Sequence, residues 1–391
     1  MISLDEARAL IAQNIKPLGS ETVDLTYAAG RILAKDISAQ RTQPPQALSA
    51  MDGYAVRSED VGIAPFIVIG ESAAGHPFQE SVGAGEAVRI STGAAVPGGA
   101  DQVVIQENAE RDGDHVALNA GKSPGQHIRA AGLDFAAGHV IAFGGDRLTS
   151  DRLVLVAAAG HSKIEVYRNP RVAFFCSGDE LAEPGEDAQD KIINSLAPGL
   201  SAWLREEGAA PTYLGIAGDA REAVAEKFAV AAGHDLVIAV GGASVGDHDH
   251  VKAAFAEGGG ELIFEKIAVK PGKPTWFGLA KGVPHVGLPG NPVSALVMTR
   301  LVVDAALAAM TGQNPELRFD QLYRGEDLPA NGPRETFLRG LKKAGRVSAM
   351  GNQDSSALTP LAAADVLIHR PAHAPAVVAA NWVNVLPLGE R

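Results

Sequence analysis

The sequence predicts a multidomain α/β protein: a central, mostly parallel α/β unit, a small β domain inserted ahead of it and a β domain at the C-terminal end. Three observations carry this. A chain of 391 residues exceeds what one hydrophobic core usually organises, so about three or four units are expected. From Arg171 to Met310, near-continuous apolar runs alternate with helical stretches, as they do for parallel strands covered on both faces. On either side of that segment the texture shifts to short β-like runs broken by Gly, Pro and Asp.

Taken in order, the chain opens with an amphipathic helix, Leu4 to Asn14, with Ser3 as its cap and Glu6 three residues on. Between Met51 and Val140, runs such as Phe66 to Ile69, Ala87 to Ile90 and Gln102 to Ile105 read as strands. Leu148 to Gly160 is helical again and Ile164 to Val166 strand-like, so the β block reads as an insertion. The expected division is an elongated N-terminal domain of 1–45 and 140–168, an inserted β domain of 46–139, an α/β unit of 169–316 and a β domain of 317–391.

Within the α/β unit the expected strands are Val172 to Cys176, Thr212 to Ile216, Leu236 to Val240, Leu262 to Val269, Thr275 to Gly278 and His285 to Leu288. Helices are expected at Ala197 to Glu207, Ala220 to Ala232, His250 to Glu257 and Pro292 to Met310. The last of these would have Asn291 as N-cap and Pro292 at its first position, where a missing N–H costs nothing. Ligands on such sheets bind beyond the carboxyl ends of the strands.

Composition narrows the function. With 34 Lys+Arg against 46 Asp+Glu the net charge is -12, the wrong sign for a nucleic-acid binder. A local basic pocket can still hold a small anion, because salt screens charge over roughly 8 Å. Apolar content of 46% and charged content of 20% suit a soluble globular chain. The single cysteine, Cys176, allows no intrachain disulfide and falls in an apolar run, where a buried, inert thiol is expected. Met1 to Leu18 mixes acids and bases with its apolar residues, unlike a signal peptide, and no uninterrupted apolar span of about 20 residues appears. A cytoplasmic location without membrane contact is expected.

The most informative stretch runs from Val269 to Ser294, V-K-P-G-K-P at one end and G-L-P-G-N-P-V-S at the other. Two rigid turns, Lys270 and Lys273, and a helix N-terminus with free N–H groups suit an oxyanion such as phosphate. Either turn alone is an ordinary turn former. Three expected strands run into polar loops: Ser177-Gly178-Asp179-Glu180, the segment Gly241 to His250, and Lys270 to Lys273. If those strands are neighbours, glycines, hydroxyls, carboxylates and lysines converge on one edge, where Mg²⁺ can bridge carboxylates to phosphate oxygens.

Gly241-Gly242 permits close backbone approach and Ser244 can donate to an oxyanion. For Asp249 the loop leaves helix capping and metal or substrate binding equally open. His248 and His250 lack partners at zinc-ligand spacing. Asp219 with Glu222 reads as a capping box, and Asn194 as a cap before a helix. Glu180 has no such structural explanation. Ser49 to Val56 reads, alone, as a turn before a strand.

Together, Ser49-Ala50-Met51-Asp52-Gly53-Tyr54-Ala55-Val56, Gly178-Asp179-Glu180-Leu181, the Gly241 to Asp249 loop, Lys270-Pro271-Gly272-Lys273-Pro274 and Leu288-Pro289-Gly290-Asn291-Pro292-Val293-Ser294-Ala295 resemble the molybdopterin molybdenumtransferase family, which includes the E domain of gephyrin. The five motifs stand in the family's order and span essentially the whole chain. The resemblance implies a molybdopterin-binding-type α/β domain and insertion of molybdenum from molybdate into adenylylated molybdopterin, with Mg²⁺-dependent hydrolysis releasing AMP. It also implies a homodimer whose cleft joins the α/β unit of one subunit to the N-terminal domains of the other. Transient contacts with molybdopterin adenylyltransferase and with acceptor molybdoenzymes follow from the same resemblance.

By motif position, Asp52, Glu180, Asp219 and Asp249 form the implied acidic set, with Glu180 and Asp249 as metal ligands. Lys270, Lys273, Ser244, Arg334 and Ser355 would hold molybdate and the pterin phosphate, with Thr92, Asp134, Asn194, Gly242 and Pro292 as further substrate-binding positions. Departures are Gln46-Ala47-Leu48 in place of a Phe-Asp-Asn type run, which puts ligand contacts from that loop in doubt, Ser177 for Thr, Ala243 for Val and His250 for Tyr. Rival readings are a related molybdopterin-nucleotide enzyme of adenylyltransferase or pyrophosphatase type, and a non-catalytic dimeric scaffold. The first would lack the Met51 to Tyr54 block and the paired turns; the second has no need of converging acids and lysines.

Overall fold

The computed structural model describes residues 1–63, 65–187, 190–242 and 250–389. At its centre lies a six-stranded sheet in the order Ala210–Ala217, Arg171–Ser177, Leu236–Val240, Val283–Leu288, Trp276–Ala280, Gly260–Phe264. The first four strands are parallel; Trp276–Ala280 runs against them, and the edge strand Gly260–Phe264 is antiparallel to Trp276–Ala280. Alternate side chains of these strands serve two cores. Phe174 and Cys176 meet the helix Leu196–Glu206 and the long helix that begins at Pro292, whereas Phe175 and Ala239 meet Arg221–Val230 and His250–Glu257. That two-sided cover is why the strands read as unbroken apolar runs.

Two expectations for this sheet are corrected. Leu262 to Val269 is not one strand: Gly260–Phe264 is the antiparallel edge, and Val269–Lys270 pairs in parallel with Glu335–Lys343 of the C-terminal sheet. The lysine turn therefore does not extend the carboxyl edge of the α/β sheet. The expected strands Thr275 to Gly278 and His285 to Leu288 are Trp276–Ala280 and Val283–Leu288, and they do not run parallel: they pair as a hairpin. Lys281 and Gly282 turn it with φ of 52° and 80°, the left-handed pair that matches strand twist.

The long helix runs Pro292–Met298, then a π segment Thr299–Val303, then Asp304–Met310. It is long and apolar enough to cross a membrane, but 78% of its most apolar window is buried inside the protein, so it is a core helix. The opening helix, Leu4–Asn14, packs on this core although it begins the chain. Ser3 Oγ accepts the Glu6 N–H at 3.1 Å, and buried Arg8 bonds the Asp304 carboxylate at 2.9 Å and the Pro315 carbonyl at 2.8 Å.

Ser20–Asp24 pairs with Lys163–Tyr167 and Ile37–Ser38 with Val140–Ala142, so the two ends of the N-terminal region lie side by side. The chain leaves and returns at the bridge between Gln43 and Phe135, and between them folds a six-stranded sheet with Gly53–Val56 second from one edge. The C-terminal sheet closes on itself through the pairing of Glu335–Lys343 with Val366–Arg370.

The strand that starts the α/β unit is anchored by Asp235. Its carboxylate takes two parallel bonds from Arg168, at 2.6 and 2.7 Å, and a third from the Arg171 N–H at 2.8 Å. Burial pushes this carboxyl up, but Arg168 and the Arg171 N–H outweigh it and hold it at about 2. A carboxyl depressed in the folded state stabilises fully above its unfolded value near pH 4 and loses that contribution as pH falls toward 2. Asp235→Asn is expected to lower unfolding free energy at pH 7 by about 2 kcal/mol. Urea titrations should show the gap from wild type narrowing at pH 3; a gap independent of pH would refute the linkage.

Candidate functional site

The lysine turn forms one wall of a hollow of about 460 Å³ between the α/β unit and the C-terminal sheet. Lys270 ends a strand, and Gly272 turns the chain with φ of 122°, a conformation L side chains rarely adopt. A Cβ there would lie 2.1 Å from Met298 Sδ, so the turn sits directly on the core helix. Buried Thr275 closes it, its hydroxyl donating to the Gly272 carbonyl at 2.8 Å.

The second wall is the start of that helix. Asn291 has N-cap backbone geometry and Pro292 the first position, as expected, but the Asn291 side chain makes no cap bond. Its amide donates instead to Ser355 Oγ at 3.0 Å. Val293 and Ser294, just beyond Pro292, line the hollow.

Arg334 and Arg339, with the 353–355 loop, complete the third wall. Arg334 donates to the Val269 carbonyl at 3.4 Å, tying it to the lysine strand. Arg339 is buried, and its guanidinium donates to Gln353 Oε1 and to the Asp354 and Ala357 carbonyls. Burial lowers its pKa, with Asp354 opposing. Arg339 and Gln353 escaped the sequence reading; the one signal was an arginine interrupting the buried run of Phe337 to Gly340. The structure thus brings Lys270, Lys273, Arg334 and Ser355 together, whereas Pro292, one residue before the lining Val293, is not itself part of the wall.

Acidic residues gather nearby, at the carboxyl ends of the parallel strands. Arg171–Ser177 leads to Asp179 and exposed Glu180, and its neighbour Ala210–Ala217 leads to Asp219. Each aspartate accepts the other's backbone N–H at 3.2 Å. The expected capping box is therefore not made: the helix starts at Arg221 behind Ala220, and Asp219 is engaged across the edge by Asp179. Asn194 is not a cap either. Buried beneath this edge, it accepts from Cys176 Sγ and donates to the Tyr213 hydroxyl at 2.7 Å. Burial pushes the Cys176 thiol up to about 12, so it is inert.

Gly241 has φ of 90°, and a Cβ there would lie 2.4 Å from the Ser177 carbonyl oxygen. A Cβ on Gly290 would in turn lie 3.5 Å from Gly241 Cα, so the acidic edge and the helix turn of the hollow meet backbone to backbone, beside Gly242. Ser177 Oγ, at the end of its strand, is buried with no hydrogen-bond partner among the described residues. Ser244 and Asp249 lie outside the described residues. Among the described residues no three His, Cys, Asp or Glu side chains converge as a closed metal cage.

The inserted domain carries its own pair. Asp52 Oδ1 accepts the Thr92 N–H at 2.6 Å and the Thr92 hydroxyl at 2.9 Å; these bonds hold its exposed carboxyl below the usual range. Asp134 is exposed beside Gln43, at the neck of the insertion. None of these three lines the hollow.

Residues 2–160 match the family described as the MoeA N-terminal region (domain I and II), 173–309 a probable molybdopterin binding domain, and 321–388 the MoeA C-terminal region (domain IV). A molybdopterin molybdenumtransferase of Haemophilus influenzae is 39% identical over 319 residues, covering 80% of this chain and 78% of that protein. Molybdopterin molybdenumtransferase 2 of Mycobacterium tuberculosis is 34% identical over 411 residues, covering 99% and 100%. Among solved structures, the molybdopterin biosynthesis moeA protein of Pyrococcus horikoshii superposes with a TM-score of 0.86 at 28% identity, covering 98% of this chain and 99% of that one.

Proposed function

The chain belongs to the molybdopterin molybdenumtransferase family, and on that premise we propose that it inserts molybdenum from molybdate into adenylylated molybdopterin, releasing AMP and yielding molybdenum cofactor. The observation that supports this most is the hollow where Lys270, Lys273, Arg334 and Ser355 converge on an otherwise acidic protein. Molybdate is a dianion. Two lysines concentrate it as compact charges, and the arginine fork donates to its oxygens directionally. Ser355 Oγ accepts from Asn291 and can turn its own proton toward an oxo group. Donors of this kind help oxo groups leave as water.

The phosphoanhydride end of the substrate belongs, in this reading, at the acidic edge beyond Gly241 and Gly290. The hard oxygens of Asp179, Glu180 and Asp219, with Ser177 Oγ buried and unpaired behind them, fit Mg²⁺, which usually takes one or two carboxylates together with water and phosphate. When bound, Mg²⁺ would neutralise charge on the anhydride. Glu180 and Asp249 are the proposed ligands, Gly242 and Ser244 proposed phosphate contacts, and Asn194 a support beneath the edge. Asp52, Thr92 and Asp134 would reach this cleft from the second subunit of a homodimer, acting in the cytoplasm.

Purified protein given adenylylated molybdopterin, molybdate and Mg²⁺ is expected to release AMP and form active cofactor. Asp249→Ala should abolish the release with an unchanged circular dichroism spectrum. Wild-type turnover by that variant removes Asp249 from the reaction, and a wild-type chain that consumes ATP to adenylylate molybdopterin instead would establish the rival activity.

A further inference from the structure

A second cavity, of about 550 Å³, opens at the other end of the central sheet, where the helices Arg221–Val230 and His250–Glu257 stand over the amino ends of Leu236–Val240 and Val283–Leu288. Its walls are apolar, formed by Phe228, Phe255, Val237, Val283 and several alanines. One polar side chain interrupts them: His285, with 6% of its surface exposed. The Nδ1 of His285 lies 2.9 Å from the Val283 carbonyl, which requires the proton on Nδ1 and leaves Nε2 as an acceptor. Nε2 has no hydrogen-bond partner among the described residues.

The ring is fixed in place, 5.5 Å from the Phe228 ring and 5.0 Å from that of Phe255. Burial holds its pKa down to about 4, so the imidazole is neutral at physiological pH. An anion would meet no donor in these walls, and a purely aliphatic guest would leave a buried acceptor unpaired. At the lip, Glu257 and Lys281 are of opposite sign and select for neither charge.

We propose that this cavity binds a small, neutral aromatic molecule carrying one hydroxyl or N–H group, its ring against Phe228 and Phe255 and its donor on His285 Nε2. The site is independent of the cationic hollow and of the transferase reading. 2-Naphthol and 2-methoxynaphthalene share a ring system and differ in that donor. Calorimetry on the full chain should show 2-naphthol binding at least about tenfold tighter, the worth of one hydrogen bond. His285→Phe keeps an aromatic ring but no acceptor, and should bring the two within about twofold. Ala229→Phe, at the exposed lip, should abolish binding of both without moving the thermal midpoint, and decides the matter should His285→Phe fail to fold. Equal affinities in wild type, absence of binding, a naphthol preference that survives His285→Phe, or binding indifferent to Ala229→Phe would each overturn the proposal.

Discussion

Gly272→Ala is expected to lower kcat/KM for molybdate-dependent AMP release by about a hundredfold or more. Two independent effects act at this position. The backbone φ of 122° is one that a Cβ resists, which amounts to roughly 1–3 kcal/mol of strain. The new methyl would also lie 2.1 Å from Met298 Sδ, on a side chain that is itself fully buried and cannot swing aside. Relief comes from moving the turn, and Lys270 and Lys273 move with it. A displacement of about 1 Å in positioning groups is enough for a loss of that order. Gly272→Ala should also lower the thermal midpoint; Met298→Ala opens a core cavity of its own but removes the collision, so the double variant should lose less stability than the two single losses sum to. Steady-state kinetics beside a thermal melt checks both; wild-type kcat/KM in Gly272→Ala would show that the lysine turn does not position substrate.

Lys273→Ala should lower kcat/KM for molybdate by roughly ten- to a hundredfold, the size of one charge-assisted contact of about 1.5–3 kcal/mol. The side chain is exposed, and what ties the turn down is the Lys273 carbonyl, which accepts the Ile267 N–H at 3.0 Å. The thermal midpoint should therefore stay where it is. Lys273→Arg keeps the charge and should recover part of the loss in KM. A variant with unchanged KM for molybdate would take this lysine out of anion binding.

Much of the α/β layering was legible because its strands are covered on both faces, so that Val172 to Cys176 and Leu236 to Val240 carry no polar interruption. The hairpin at Lys281-Gly282 was hidden because its turn depends on left-handed φ at a lysine, a residue with no strong preference for it. The capping box at Asp219 failed for a related reason: its carboxylate had a better donor in the Asp179 N–H, brought there by strand pairing rather than by local spacing. Asn291 likewise had cap backbone geometry but gave its side chain to Ser355, 64 residues away. Local pattern identifies which groups want partners. Only the fold decides which partners arrive, and that is why Arg339 and Gln353 went unread.

The backbone contact between Gly241 and Gly290 has a consequence for substrate length. Because two main chains meet there with no rotamer between them, the span from the lysines to the carboxylates behaves as a rigid gauge. A molecule reaching both ends must match that span, and drift in the surrounding side chains cannot retune it.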